Sequence, residues 1–160
     1  MTGALNIDTP RALLDKLSVE LKAVDADQKD AYAALNAARD AYHLREWIWH
    51  AHLDGNSAMQ ISVMGNNGAE SDWNSWINSQ FQRFPILREI CNGSKHLKLH
   101  ASESIAQTHE AGWDMQPWDT LPWDAEGFYV ELTDGSIVSV SELLKDIRNF
   151  WVNLFTIHSL

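Results

Sequence analysis

Phe128-Tyr129-Val130-Glu131-Leu132-Thr133-Asp134-Gly135-Ser136-Ile137-Val138-Ser139-Val140-Ser141-Glu142-Leu143-Leu144 decides the fold, because a hairpin and a helix start follow each other in it without a gap. Phe128 to Leu132 and Ile137 to Val140 are rich in β-branched and aromatic residues and flank Thr133-Asp134-Gly135-Ser136. Asp-Gly at the tip tolerates positive φ, so the pair reads as a β-hairpin. Ser139-x-x-Glu142 is a capping box, whose two side chains satisfy N–H groups left over at a helix start. Behind it, Leu143, Leu144, Ile147, Phe150, Trp151, Leu154, Phe155 and His158 form a wide apolar face at helical spacing. A core-packed closing helix, entered directly from a hairpin, is the expectation.

Upstream the pattern is helical. Thr9-Pro10 reads as an N-cap with proline in the first helical position, where its missing N–H costs nothing. Leu13, Leu14, Leu17, Leu21 and Val24 then predict an amphipathic helix over about 10–25. A longer helix is expected from Asp27 to Leu53, with the stripe Ala31, Leu35, Ala38, Tyr42, Arg45, Trp49 and with Ile48 and Leu53 alongside. Its alanines suit close approach by a neighbour. Residues 54–71 read as a loop in which Ile61, Val63 and Met64 pack down locally. Ser71 or Asp72 caps a third helix carrying Trp73, Trp76, Ile77, Phe81 and Phe84, which Pro85 breaks or kinks. The pattern resumes with Ile86, Leu87, Ile90, Cys91, Ser94 and Leu97.

The stretch 101–127 has no sustained periodicity. It carries Trp113-Asp114, Trp118-Asp119 and Trp123-Asp124, five residues apart, which are too few and too short for a solenoid. Such rings are expected to cover apolar area left open by the helices. The fold class is therefore mainly α: one domain over 1–160, a four-helix bundle with an irregular Trp-rich insert and a β-hairpin at about 101–140, before the last helix.

Composition narrows the function classes. The chain has 160 residues, eight of them Trp, and a formal net charge of −10, which disfavours duplex DNA as a partner. A small basic patch remains at Lys95, His96, Lys98 and His100, joined by Arg88. No apolar run approaches the ~18 residues of a membrane span. The first residues lack the basic and apolar regions of a signal peptide. Cys91 is the only cysteine. These features point to the cytoplasm. The aromatic content points to a homodimer, since exposed aromatic patches are commonly covered by a second copy.

Three constellations carry possible chemistry. His43, Glu46, Trp47 and His50 fall at i, i+3, i+4 and i+7 and project from one side of the second helix. Two imidazoles and a carboxylate there suit a divalent metal such as zinc or nickel, with His96 or His100 as further ligands. The alternative is an aromatic and histidine face satisfied by Glu46. Nothing else in the pattern asks for a cofactor. Arg88, Asn92 and His96, with Lys95 adjacent, form a polar ridge on the third helix. There His96 is the candidate general acid–base, Lys95 or Arg88 the anion clamp, and Asn92 and Trp47 candidate ligand contacts. The alternative is a solvated face. Gly93 inside this helix costs about 1 kcal/mol relative to Ala, which suggests close approach by a backbone or a ligand. Cys91 lies on the apolar side and reads as core.

The run Tyr42-His43-Leu44-Arg45-Glu46-Trp47, followed by Leu87-Arg88-Glu89-Ile90-Cys91-Asn92-Gly93-Ser94-Lys95-His96, then Val130-Glu131-Leu132-Thr133-Asp134-Gly135 and Phe150-Trp151, resembles a family of small bacterial and phage-type helical proteins. Its members share H-x-x-[DE]-W and N-G-[AS]-K-H helices, and the likeness implies a fold but no activity. More distantly the pattern is similar to the HEPN superfamily, helical bundles that include ribonucleases cutting with an Arg and a His four to six residues apart. Arg88 and His96 have seven residues between them, and Arg148 and His158 nine, so the cleavage motif is not reproduced. Three readings of function follow. The first is an accessory protein of a mobile-element or stress system, contacting a protein or RNA partner through Arg88, Asn92, Lys95 and His96. The second is an RNA-directed nuclease using His96. The third is a metal-binding bundle using His43, Glu46 and His50.

Overall fold

A computed structural model describes residues 7–95, 105–111 and 126–160, with six α-helices and one three-stranded antiparallel sheet among them. Helix α1 (Pro10–Ala26) starts where Thr9 Oγ1 accepts the Ala12 N–H at 3.1 Å, and it buries Leu13, Leu14, Leu17, Leu21 and Val24. Helix α2 (Ala31–Ile48) starts four residues later than the expected Asp27, at the first residue of its apolar stripe. The reason is Asp30, whose carboxylate accepts the N–H groups of Tyr32 and Ala33 and so caps the helix there. Ala33, Ala34, Ala37, Ala38 and Ala41 are all buried, and α1 lies against them. Side chains this small let two backbones approach closely.

α2 does not stop at Ile48 but widens into one π-helical turn, Trp49–Leu53, closed by Asp54 N–H donating to the Trp49 carbonyl at 2.8 Å. The wider turn buries both Trp49 and Leu53. Beyond it, the stretch 54–71 contains helix α3 (Ser57–Met64) and is not the plain loop its composition suggests. Asn56 caps α3 by accepting the Met59 N–H, and Gly65, at φ +82°, ends it in the left-handed conformation. Buried Gln60 then fastens the connection. It donates to the Leu53 carbonyl at 2.9 Å and accepts the Gly68 N–H at 3.2 Å.

The third expected helix is two. α4 (Glu70–Gln80) ends with Phe81 N–H donating to the Ile77 carbonyl, and α5 (Phe84–Lys95) begins after a turn at 81–83. Of the two outcomes expected at Pro85, the helix is broken and not kinked, and Pro85 itself occupies the first turn of α5. Strand β1 (Ile105–Ala111) falls in a stretch without hydrophobic alternation. It pairs with β2 (Gly127–Leu132), which pairs with β3 (Ile137–Ser139) across the expected Asp134-Gly135 turn. β1 lies at the sheet edge, and Ala106, Gln107, Thr108 and Glu110 are exposed, which is why no buried face marks it in the sequence. The buried Glu89 carboxylate of α5 accepts the Ile105 N–H at 2.9 Å and anchors the strand's start. Gly127 has φ +91°, and a Cβ there would sit 2.7 Å from the Gln28 carbonyl oxygen, so only glycine fits.

The closing helix, α6 (Val140–His158), is capped by Ser139 as its sequence predicts, and Leu143, Leu144, Ile147, Trp151, Leu154 and Phe155 are buried. Trp151 Nε1 donates to the Ala41 carbonyl at 2.9 Å, joining α6 to α2. No helix among the described residues is long and apolar enough to cross a membrane. Trp113, Trp118 and Trp123 lie outside the described residues.

One ion pair binds α1 to α2: Lys16 Nζ donates to Asp40 at 2.5 Å and to Glu20 at 3.2 Å. Burial pushes the Asp40 carboxyl above its ordinary range, and the Lys16 bond and charge offset only part of that. The Lys16 ammonium is itself lifted: burial opposes its charge, but Asp40 and then Glu20 overcome it. Because the folded Asp40 holds its proton more readily than the unfolded chain, its contribution is best at low pH and declines as pH rises through its raised value. The Lys16 contribution is complete below 10.5 and is lost only as pH rises beyond it. Lys16→Met should therefore lower stability by about 1–2 kcal/mol at pH 7, the scale of a charge-assisted bond discounted for solvent, and by less at pH 4. Urea titrations at the two pH values check this; an equal loss at both would refute it.

Candidate functional site

Tyr42 and Arg45 lie one turn apart on α2, Asn74 and Asn78 one turn apart on α4, and Phe84 and Arg88 one turn apart on α5. The three helices bring these pairs, with Pro85, around an open pocket of about 170 Å³. Arg45 is its organised centre. Its guanidinium carbon stands 4.5 Å from the centroid of the Tyr42 ring, a cation–π contact. Nη2 donates to the Tyr42 hydroxyl at 3.1 Å and Nη1 to Asn74 Oδ1 at 2.5 Å. Nε is buried and has no hydrogen-bond partner. No carboxylate among the described residues lies within ion-pair distance of this guanidinium. Arg45 as a whole is half-buried, so the cost of its position lies chiefly in the unsatisfied Nε.

The aromatic core explains why the cradle is firm. Tyr42 stacks on Phe84 with centroids 5.6 Å apart, and Phe84 meets Trp151 edge-on at 6.1 Å. Trp151 packs against Phe150 and Trp73, and Trp73 stacks on Trp76 at 5.3 Å. Trp73 Nε1 donates to the Arg45 backbone carbonyl at 2.8 Å, so α4 holds the arginine from its backbone as well as through Asn74.

Of the residues singled out in the sequence, Arg88 lines this pocket and is exposed. Asn92, one turn further along α5, is exposed and outside the lining. The Lys95 side chain, His96 and His100 lie outside the described residues. Trp47 is half-buried against the core, away from the pocket. On α2, His43 Nδ1 stands 3.6 Å from Glu46 Oε2, and its ring meets Tyr42 edge-on. His50 lies on the π turn and faces a different carboxylate, Asp54, at 3.8 Å. Among the described residues no three His, Cys, Asp or Glu groups gather closely enough to hold a metal ion. Cys91 is buried, its thiol donating to the Ala38 carbonyl at 3.4 Å.

Sequence reasoning placed Tyr42 and Arg45 on the stripe of α2 without a site role, and passed over Asn74 and Asn78. A signal was present: Arg45 interrupts an otherwise apolar stripe of α2, one residue before the more conspicuous Glu46-Trp47. Its role became legible only when α4 supplied Asn74. No protein-family model matches this chain, and searches of the curated proteins and of the solved structures find no match either.

His43 and His50 are exposed enough, at 36 % and 58 %, for solvent to satisfy them. The double variant His43→Ala/His50→Ala should change stability by less than about 0.5 kcal/mol, the usual range for surface positions. Added zinc should shift the thermal midpoint of the wild type and of this variant equally. A shift specific to the wild type would restore the metal reading.

Proposed function

We propose that this chain is a binding protein that takes an anionic group of a partner into the pocket between α2, α4 and α5, and does no chemistry on it. The reading rests on one observation: the Arg45 guanidinium is oriented by Tyr42, Asn74 and the aromatic core, yet has no counter-charge among the described residues. A charge held ready in this way is stabilised when a ligand supplies the missing anion. Binding is favoured over catalysis because, among the described residues, the lining contains no carboxylate, imidazole or lysine to move a proton. Of the contact site expected around Arg88, Asn92, Lys95 and His96, Arg88 belongs to this pocket in this reading, while the Lys95 side chain and His96 lie outside the described residues.

The architectural likeness belongs to the same proposal. The long helices α1, α2, α5 and α6 serve as the four members of a HEPN-like bundle, with α2 touching each of the other three. The shorter α3 and α4 are additions to these four, and α4 is the one that completes the pocket.

An anion series at matched ionic strength tests the binding role. Ligand at ten times its dissociation constant adds about 1.4 kcal/mol, which for a chain of this size raises the thermal midpoint by roughly 3–5 °C. At least one of acetate, sulfate and phosphate should do this against chloride in the wild type and fail to do so in Arg45→Met. Indifference of the wild type to all three would overturn the reading.

A further inference from the structure

Helices α1 and α6 lie antiparallel, as three contacts between them show: Arg11 stands over the Phe155 ring, Arg148 bonds Ser18, and Lys145 meets Asp25. Between the last two contacts lies an open groove of about 320 Å³, with the buried Leu21 in its lining. Its cations are Lys22 from α1 with Lys145 and Arg148 from α6, and its one carboxylate is Asp25. The chain has 12 Lys and Arg against 22 Asp and Glu, so three cations to one acid reverses its composition locally. The groove shares no residue with the Arg45 pocket.

These charges do not neutralise one another. Lys145 Nζ stands 2.6 Å from Asp25 Oδ1, and those two cancel. Neither Lys22 nor Arg148 has a carboxylate within ion-pair distance among the described residues, which leaves two positive charges over. Arg148 is half-buried and oriented: Nε donates to Ser18 Oγ and Nη1 to Asn149 Oδ1, each at 3.3 Å. Its Nη2 has no acceptor among the described residues, and the Asn149 amide keeps its N–H groups to donate.

The helix register divides the groove by polarity. Arg148 and Asn149 sit beside Ser18, Lys145 sits beside Asp25, and Lys22 lies between Ser18 and Asp25, one turn from each. One end therefore offers guanidinium and amide donors with an ammonium adjacent. The other offers a donor and an acceptor already paired, which suits neutral hydroxyl groups. A phosphate monoester places nearly two charges and three terminal oxygens on one group at pH 7, matching the two unpaired cations. A dicarboxylate spreads the same charge over two ends, one of which would face Asp25. The volume falls at the lower end of the range of about 300–1,000 Å³ usual for small-molecule sites. We infer that the α1–α6 groove binds a small phosphate monoester with a hydroxylated body, the phosphoryl group on Lys22 and Arg148 and the hydroxyls beside Asp25 and Lys145. The site is independent of the binding role proposed for the Arg45 pocket.

Isothermal titration calorimetry at about pH 7.5 and fixed ionic strength tests it, with glucose 6-phosphate, inorganic phosphate, succinate and glucose as probes. Each titration is run on the wild type and on Arg45→Met, which separates this groove from the other pocket. Glucose 6-phosphate should bind both proteins alike and about tenfold more tightly than inorganic phosphate or succinate, and glucose should not bind. Lys22→Ala, an exposed change, and Arg148→Gln should each weaken it about tenfold. Asp25→Asn should bring inorganic phosphate and glucose 6-phosphate closer in affinity, because it removes a negative charge and a hydroxyl acceptor together. Succinate binding as tightly as glucose 6-phosphate would overturn the phosphoryl assignment, and inorganic phosphate doing so would overturn the hydroxylated body. Loss of all binding in Arg45→Met would overturn this site and leave the Arg45 reading standing. Binding unchanged by both Lys22→Ala and Arg148→Gln, or no heat with any probe, would overturn the groove as a site whatever the Arg45 pocket does.

Discussion

Helix α2 packs against α1, α5 and α6, and that packing constrains the side chains on its buried faces. Its first half meets the constraint with alanine, which lets α1 and α6 come close enough for Trp151 to hydrogen-bond the Ala41 carbonyl. Its second half meets it with Leu44, Ile48, Trp49 and Leu53. Burying a leucine or isoleucine side chain contributes roughly 1.5–3 kcal/mol. Arg45 stands in the middle of this series and breaks it. A methionine or leucine there would satisfy packing with no charge to accommodate, so the arginine is a local departure from what folding alone favours. Such departures concentrate where function resides.

The surroundings of Arg45 have a purpose beyond filling space. A free arginine side chain loses about 2 kcal/mol of rotamer entropy when fixed in one conformation. Here much of that loss is borne by the fold: the Tyr42 face, the Asn74 amide and the Tyr42 hydroxyl hold the guanidinium before any ligand arrives. Tyr42 is in turn held by Phe84, and Phe84 by Trp151. The tryptophans of α4 and α6 thus act on the pocket indirectly, by removing freedom from the residues that form its floor.

The fold was legible where the signal is local. Thr9-Pro10, the Ser139 cap, the Asp134-Gly135 turn and the leucine stripe of α1 each name their element from a few adjacent residues. α3 was hidden because its eight residues carry too short a stripe, although Asn56 and Gly65 mark its two ends. β1 was hidden because an edge strand has no obligatory buried face, and its pairing with β2 is a tertiary fact. The site was half legible for a similar reason. Arg88 stood out as a cation on a polar ridge, but the pocket needs Arg45 and Asn74 to meet across 29 positions of sequence, and no periodicity encodes that. The histidines of α2 drew attention by their spacing, yet His43 and His50 turn to separate carboxylates once the helix widens into its π turn.

An anion pocket on an acidic protein looks contradictory until distance is considered. At physiological salt the field of a charge fades over about 8 Å, so the net charge of −10 is felt along a surface and hardly at all inside a small recess. Among the described residues the charged side chains that line the recess are Arg45 and Arg88, and the low dielectric beside the aromatic wall strengthens the field of Arg45. An anion entering the recess would meet that attraction first, whatever the net charge of the whole chain.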